Sequence, residues 1–370
     1  MKIKNKHYFL IAGEASGDLH GAELMNELKK INDSIVFSGL GGIKMEECGL
    51  SSLAPIQKLA VMGFWEVLKK YTFFLNLQKK VLNHIAQSKP DKIILIDYPG
   101  FNLRIAKKIK EKFNIPIFYY ISPQVWAWKE KRINDLKKYV DSLIVIFPFE
   151  VDWFAKRNMK VQYFGHPLID QWKKLKINTK TKNKFIIGLF PGSRKQEIER
   201  HLPLFENLIQ KKKLINKNID FVISRSEMIS EKYFSIFKKY DIPILCEPSY
   251  QIYEKCNLAI VASGTATLEC AISKTPFIVI YKMSSISWFI TKQFVKIKFA
   301  SIVNILNEDK IVSELIQEDC NIKNIIKEIN YLLIDENYNR SYKNMQKVTD
   351  LLGNGTSYKQ SAHLIYDLSN

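Results

Sequence analysis

Asp97 closes the apolar run Ile93-Ile-Leu-Ile96 and is followed by Tyr98-Pro99, where a proline stops a strand from continuing. A carboxylate at the end of a buried strand is desolvated, which raises its pKa and suits it to take a proton from a hydroxyl. Arg194 ends Phe190-Pro-Gly-Ser-Arg194, the corner after a second apolar run. Its guanidinium can hold a phosphate by two hydrogen bonds, and Gly192 and Ser193 expose backbone N–H groups beside it. A third stretch, Val261-Ala-Ser-Gly-Thr-Ala-Thr-Leu-Glu269, passes from a short apolar run into helical spacing. There Ser263, Gly264 and Thr265 turn the chain, and Ala266 and Thr267 open the helix, so free N–H groups and the positive end of a helix dipole meet at one point. Glu269, one turn on, can reach a ribose diol. Two anion-binding corners close together are what a nucleoside diphosphate requires; one alone would be an ordinary capped strand–helix corner.

Two further loops carry unusual residues. Gly13-Glu-Ala-Ser-Gly-Asp18 follows the first apolar run, so Ser16, Gly17 and Asp18 can approach a ligand closely, although a tight turn capped by Asp18 would look the same. Ser122-Pro-Gln-Val-Trp-Ala-Trp128 sets Trp126 and Trp128 one residue apart, with Ser122 and Gln124 as polar neighbours. Indole faces there suit a sugar or an acyl chain, with Arg132, Lys129 and Lys131 nearby for a phosphate, while one of the two rings is expected to pack in the core.

These loops need strands to present them. Strand-length apolar runs occur at 7–12, 35–38, 92–96, 117–121, 142–146 and 161–164, with amphipathic segments between. A polar, basic stretch without periodicity, 173–184, separates them from a second series at 185–190, 220–224, 244–246, 258–261 and 277–280. The expected fold is α/β, two Rossmann-like parallel-sheet domains facing a cleft, with a helical C-terminus. The expected domains are 1–172 and 185–320, joined by a linker at 173–184, with helices at 321–370 that can pack back on the first domain. There is no G-x-G-x-x-G, no phosphate-loop motif, no H-E-x-x-H and no Asp-x-Asp, so neither a cofactor nor a metal is expected.

Composition narrows the partners. Of 370 residues, 56 are Lys or Arg against 37 Asp or Glu, a net +19 that favours anionic partners. The lysines are scattered and no nucleic-acid module appears, so nucleic acid is not expected. Five cysteines without a C-x-x-C pair fit a reducing cytosol. No run is long and apolar enough to cross a bilayer. Two aromatic and basic stretches, 64–74 and 286–298, have the makeup of interfacial helices, which core-facing helices share.

Seven motifs taken together, 13–18, Leu59-Ala-Val-Met-Gly63, 122–128, Phe147-Pro-Phe-Glu150, Gly165-His-Pro167, 191–194 and 262–269, resemble the lipid-A-disaccharide synthases, in that family's order. The resemblance implies a GT-B-like glycosyltransferase, with 1–172 holding the acceptor and 185–320 the UDP-sugar. Its reaction transfers 2,3-diacylglucosamine from its UDP derivative to 2,3-diacylglucosamine 1-phosphate (lipid X), with inversion and without metal. It also implies a cytoplasmic protein, peripheral on the anionic inner face of the inner membrane, and admits a homodimer. The family's essential Asp and Arg map onto Asp97 and Arg194; where relatives tend to carry a second carboxylate, this chain has Gly100. Another UDP-N-acetylglucosamine enzyme of the same fold, a peptidoglycan glycosyltransferase or a 2-epimerase, is the alternative.

Overall fold

The computed structural model describes residues 6–55, 71–175, 184–215, 217–284, 288 and 298–368. They form two compact units, residues 1–170 together with 353–370, and residues 171–352.

The first unit is built on seven parallel strands: β1 (His7–Ala12), β2 (Val36–Gly41), β3 (Leu50–Pro55), β4 (Lys92–Ile96), β5 (Ile117–Tyr120), β6 (Ser142–Val145) and β7 (Gln162–Tyr163). Their order is β3-β2-β1-β4-β5-β6-β7. The inner strands read as unbroken apolar runs because helices cover both faces. Successive residues of β1 alternate between two cores, Phe9 and Ile11 in one, Tyr8, Leu10 and Ala12 in the other. The second core is closed by the helices Ala15–Ile31 and Ser357–Asp367. The chain returns here because Asp170 accepts the N–H groups of Ser357 and Tyr358, and because Gly353 lets the backbone approach Gly165 too closely for a Cβ.

The second unit has six parallel strands: β8 (Phe185–Phe190), β9 (Ile219–Ser224), β10 (Ile244–Leu245), β11 (Leu258–Ala262), β12 (Phe277–Tyr281) and β13 (Ser313–Ile316). Their order is β10-β9-β8-β11-β12-β13. The helices Lys195–Gln210 and Ile322–Leu332 contribute to the core on one face. The helix Asp335–Leu351 packs on Thr265–Ile272. Thus the helices of 322–351 stay with the second unit, and only the last one joins the first. Two strands, β3 and β13, have no counterpart in the expected pattern; both are edge strands with polar residues in their runs.

In each sheet the order reverses once, between β1 and β4 and between β8 and β11. At such a switch point neighbouring crossovers run to opposite sides and leave a crevice beyond the carboxyl ends of the strands. Register makes this concrete. Ala12 pairs with Ile96, and Ile96 with Tyr120. Val261 pairs with Phe190, and Ala262 with Ile280. The loops singled out above therefore leave their sheets side by side. The motif 59–63, the aromatic stretch up to residue 70, most of 286–298 and most of the 173–184 segment lie outside the described residues.

Candidate active site

In the first unit Asp97 and Tyr98 both take left-handed backbone angles, φ 44° and 47°, which is uncommon without glycine. The corner is held from below. Tyr119 donates its hydroxyl to the Asp97 carbonyl at 2.6 Å, and Asn102 Nδ2 donates to the same oxygen at 2.8 Å. The carboxyl is thereby kept at the end of β4. Burial pushes it up to about 6, and the Glu14 carboxylate adds to the effect, while the Tyr98 N–H acts in the opposite direction.

The neighbouring Gly13–Asp18 loop divides its residues between support and exposure. Asp18 is buried, and its carboxylate accepts N–H groups from Gly42 at 2.8 Å, Met45 at 3.1 Å and Lys44 at 3.2 Å. It caps the short helix Ile43–Glu47 rather than its own helix. Gly17 is buried against Ala12, whereas Glu14 and Ser16 are exposed.

The tryptophan loop divides in the same way. Trp126 is half-buried, edge-on to Phe149 at 4.9 Å, and donates Nε1–H to Glu150 at 3.2 Å. Glu150 also accepts the N–H groups of Ile146 and Phe147, and burial pushes its carboxyl up to about 8. Trp128 is 47% exposed, with Lys129 Nζ 4.3 Å and the Arg132 guanidinium carbon 5.5 Å from its ring centre. Ser122 is buried with its hydroxyl on the Pro123 carbonyl, and Gln124 is exposed.

In the second unit one cavity of about 410 Å³ is lined by Pro191, Gly192, Ser193 and Arg194 on one side and by Ser263, Gly264, Thr265, Ala266 and Glu269 on the other. Gly264 caps Thr265–Ile272 at φ 153°, with open space where a side chain would be and no side-chain cap. An α-helix has no internal partner for its first N–H groups, and Thr265 and Ala266, which open this helix, both line the cavity. Thr267 is turned inward, its N–H and hydroxyl both donating to the Gly264 carbonyl. Ser263 donates its hydroxyl to Ala300 at 2.9 Å. Glu269 is hydrogen-bonded by Ser249, but burial dominates and raises its pKa. Phe190 stacks on buried Tyr253 at 4.4 Å, and the Tyr253 hydroxyl holds the Ala266 carbonyl at 3.0 Å, bracing one corner against the other.

Several residues of this pocket were not among those expected. Glu197 accepts the N–H groups of Ser193 and Arg194 at 3.2 and 3.3 Å, so these are not open donors. A carboxylate three residues after the corner is the capping-box spacing, and it is present in the sequence. Arg225 follows directly on β9, lines the same cavity, and gives one N–H to Ile229 at 3.0 Å. Its position just past a strand end was the signal for it.

Two doubly wound parallel units, the second with a cavity at its switch point, define the GT-B fold class. Solved structures agree on the fold. CalG4, the calicheamicin glycosyltransferase, superposes with a TM-score of 0.63 at 11% identity, covering 99% of both chains. The UDP-GlcNAc 2-epimerase of Neisseria meningitidis bound to UDP-GlcNAc gives 0.65 at 13%, covering 98% of this chain and all of the other. Sequence comparison goes further. The lipid-A-disaccharide synthetase family model matches residues 8–365. The chain is 36% identical to lipid-A-disaccharide synthase 1 of Legionella pneumophila (strain Philadelphia 1) over 90% of each chain. It is 33% identical to lipid-A-disaccharide synthase of Coxiella burnetii (strain CbuG_Q212) over 99% of each. The chain belongs to the lipid-A-disaccharide synthase family, a glycosyltransferase of lipid A biosynthesis. The peptidoglycan and epimerase readings are not favoured.

Proposed function

We propose that the second unit holds UDP-2,3-diacylglucosamine, the first holds 2,3-diacylglucosamine 1-phosphate, and Asp97 and Arg194 serve as base and diphosphate clamp. The observation that carries this reading is the single cavity joining the Pro191–Arg194 corner to the helix that opens at Thr265. The acceptor 6-hydroxyl oxygen attacks the anomeric carbon of the donor, and its proton passes to the Asp97 carboxylate. The bond from that carbon to the β-phosphate oxygen breaks, and its electron pair leaves with UDP. Asp97, raised to about 6, is ionised at neutral pH yet basic enough to share the proton. The charge gathering on UDP meets Arg194 and the Thr265 and Ala266 N–H groups, which are oriented before the reaction begins. Glu269, with Ser249, suits the ribose hydroxyls.

Among the other expected contacts, exposed Ser16, Gln124 and Trp128 are assigned to the acceptor in this reading, with Arg132 beside Trp128 for its phosphate. Asp18, Gly17, Ser122, Ser263 and Thr267 act through the backbone they hold or pack against. Trp126 supports its loop through Glu150. The decisive experiment is UDP release from the diacylated donor with and without the monophosphate acceptor, with the products analysed. Release that needs the acceptor and yields a β-1,6 disaccharide supports the proposal; release indifferent to the acceptor overturns it.

Both substrates carry acyl chains, and among the described residues no helix is long and apolar enough to cross a membrane. With a net charge of +19, the protein works as a peripheral protein on the cytoplasmic, anionic face of the inner membrane. Vesicle flotation tests this: binding should require anionic lipid and weaken with salt, and equal binding to zwitterionic vesicles refutes it. A homodimer remains part of the proposal, to be checked by the solution mass.

A further inference from the structure

His201 lies in the second turn of the helix Lys195–Gln210 and is fully buried. Its two ring nitrogens have partners of opposite kind. Nδ1 is 2.8 Å from the carbonyl oxygen of Pro191, and Nε2 is 3.1 Å from the backbone nitrogen of Lys282. A carbonyl can only accept and a peptide N–H can only donate. Both bonds therefore exist together in one form of the ring, the neutral tautomer with its proton on Nδ1. The ring thus joins the corner after β8 to the chain leaving β12, where Met283 N–H is held in turn by Gln317 Oε1 at 3.0 Å.

The Pro191 carbonyl matters because of the peptide it belongs to. A trans peptide points its C=O and its N–H in opposite directions. Drawing the Pro191 carbonyl toward His201 turns the Gly192 N–H away from the helix. Gly192 lines the nucleotide cavity, and its φ of 102° excludes other residues, as does a Cβ position 2.3 Å from Glu197 Oε2. The Ser193 and Arg194 N–H groups are already given to Glu197. Among the described residues of this corner, Gly192 N–H is the backbone donor left for a phosphate, beside the Arg194 guanidinium.

We propose that His201 is a positioning residue for the diphosphate of the bound nucleotide, holding the Pro191–Gly192 peptide so that the Gly192 N–H points to the phosphate. This rests on the nucleotide reading of the cavity. Protonation of Nε2 would set two donors against each other and release Lys282. The groups facing the ring are Glu197, which favours the cation, and Arg200 and Lys282, which oppose it; Tyr281 lies beside it, its ring 6.4 Å away. Burial is the largest influence and holds the imidazole below its ordinary pKa, so the neutral form prevails at neutral pH.

The test is UDP binding by calorimetry for the wild type, His201→Leu and His201→Asn across the range from about pH 5 to 8, with melting temperatures alongside. Asparagine can place an amide N–H near the Nδ1 position. His201→Leu should weaken UDP binding about tenfold, the effect of one oriented hydrogen bond. His201→Asn should recover most of that loss. The wild type should lose affinity at the acid end beyond what His201→Asn loses, since UDP's own titration is common to both. Wild-type affinity in His201→Leu, or equal weakening in both variants, overturns the proposal. Failure of the wild type to bind UDP overturns the nucleotide reading instead, and this inference with it.

Discussion

The ring of Tyr98 occupies the space where a side chain on Gly13 would stand: a Cβ there lies 2.3 Å from Tyr98 Cγ and Cδ1. The first glycine of the 13–18 loop thus belongs to the Asp97 corner, and the two loops of the β1/β4 switch point are one assembly. Gly13→Ala must move the ring and, through the left-handed pair, the Asp97 carboxyl. Turnover should fall on the order of a hundredfold, as expected for a misplaced reacting group. UDP affinity should not change, because the cavity lies in the other unit. Unchanged turnover would show that the ring and the carboxylate are independent.

Asp97 carries opposite pH trends for activity and stability. Its carboxyl sits near 6 instead of 3.8, raised first by burial and then by Glu14. As the proposed base, Asp97 must be ionised, so turnover should rise with pH through about 6 and then level off. For stability, the folded protein binds this proton more tightly than the unfolded chain. The favourable contribution is complete below the ordinary carboxyl pKa and is lost as pH rises through about 6. Asp97→Asn should lower turnover about 10²–10⁴-fold and raise the melting temperature near pH 8, with that gap closing toward pH 4. A gap independent of pH would refute the assignment.

Arg194 is held loosely. Its side chain is 63% exposed and meets Glu197 at only 3.5 Å, a surface pair worth little by itself. Arg194→Ala should therefore leave the melting temperature nearly unchanged while weakening UDP binding about ten- to a hundredfold, the range for a charged hydrogen bond. Arg194→Lys should fall between, since lysine keeps the charge and loses the fork. Equal affinity in all three proteins would remove Arg194 from the clamp.

Gly264 separates ligand binding from packing. A Cβ there meets nothing within 4 Å, so Gly264→Ala introduces no clash with the protein. The cost to stability is the strained backbone at φ 153°, about 1–3 kcal/mol. The added methyl group projects into open space at the opening of the helix, where the phosphate is proposed to sit. UDP affinity should drop more than tenfold with a modest loss of melting temperature; intact affinity would move the phosphate elsewhere.

The sequence by itself determined the two parallel sheets, the corners that follow their strands, and the residue types at each. Apolar runs of strand length, Pro99 after Asp97 and glycine at the turns are local signals that do not depend on partners. It missed β3 and β13, edge strands whose apolar runs are broken by Ser51 and Ser52 and by Ser313 and Glu314. Tertiary structure alone decided which polar groups are committed. Asp18 gives its carboxylate to the Gly42–Met45 turn, Glu197 takes the Ser193 and Arg194 N–H groups, and His201 bonds across to Lys282, 81 residues away. It also decided that the last helix joins the first unit, through Asp170 and the Gly165–Gly353 approach. A hydrogen bond takes as its partner the group that folding brings within about 3 Å, and sequence distance does not record that.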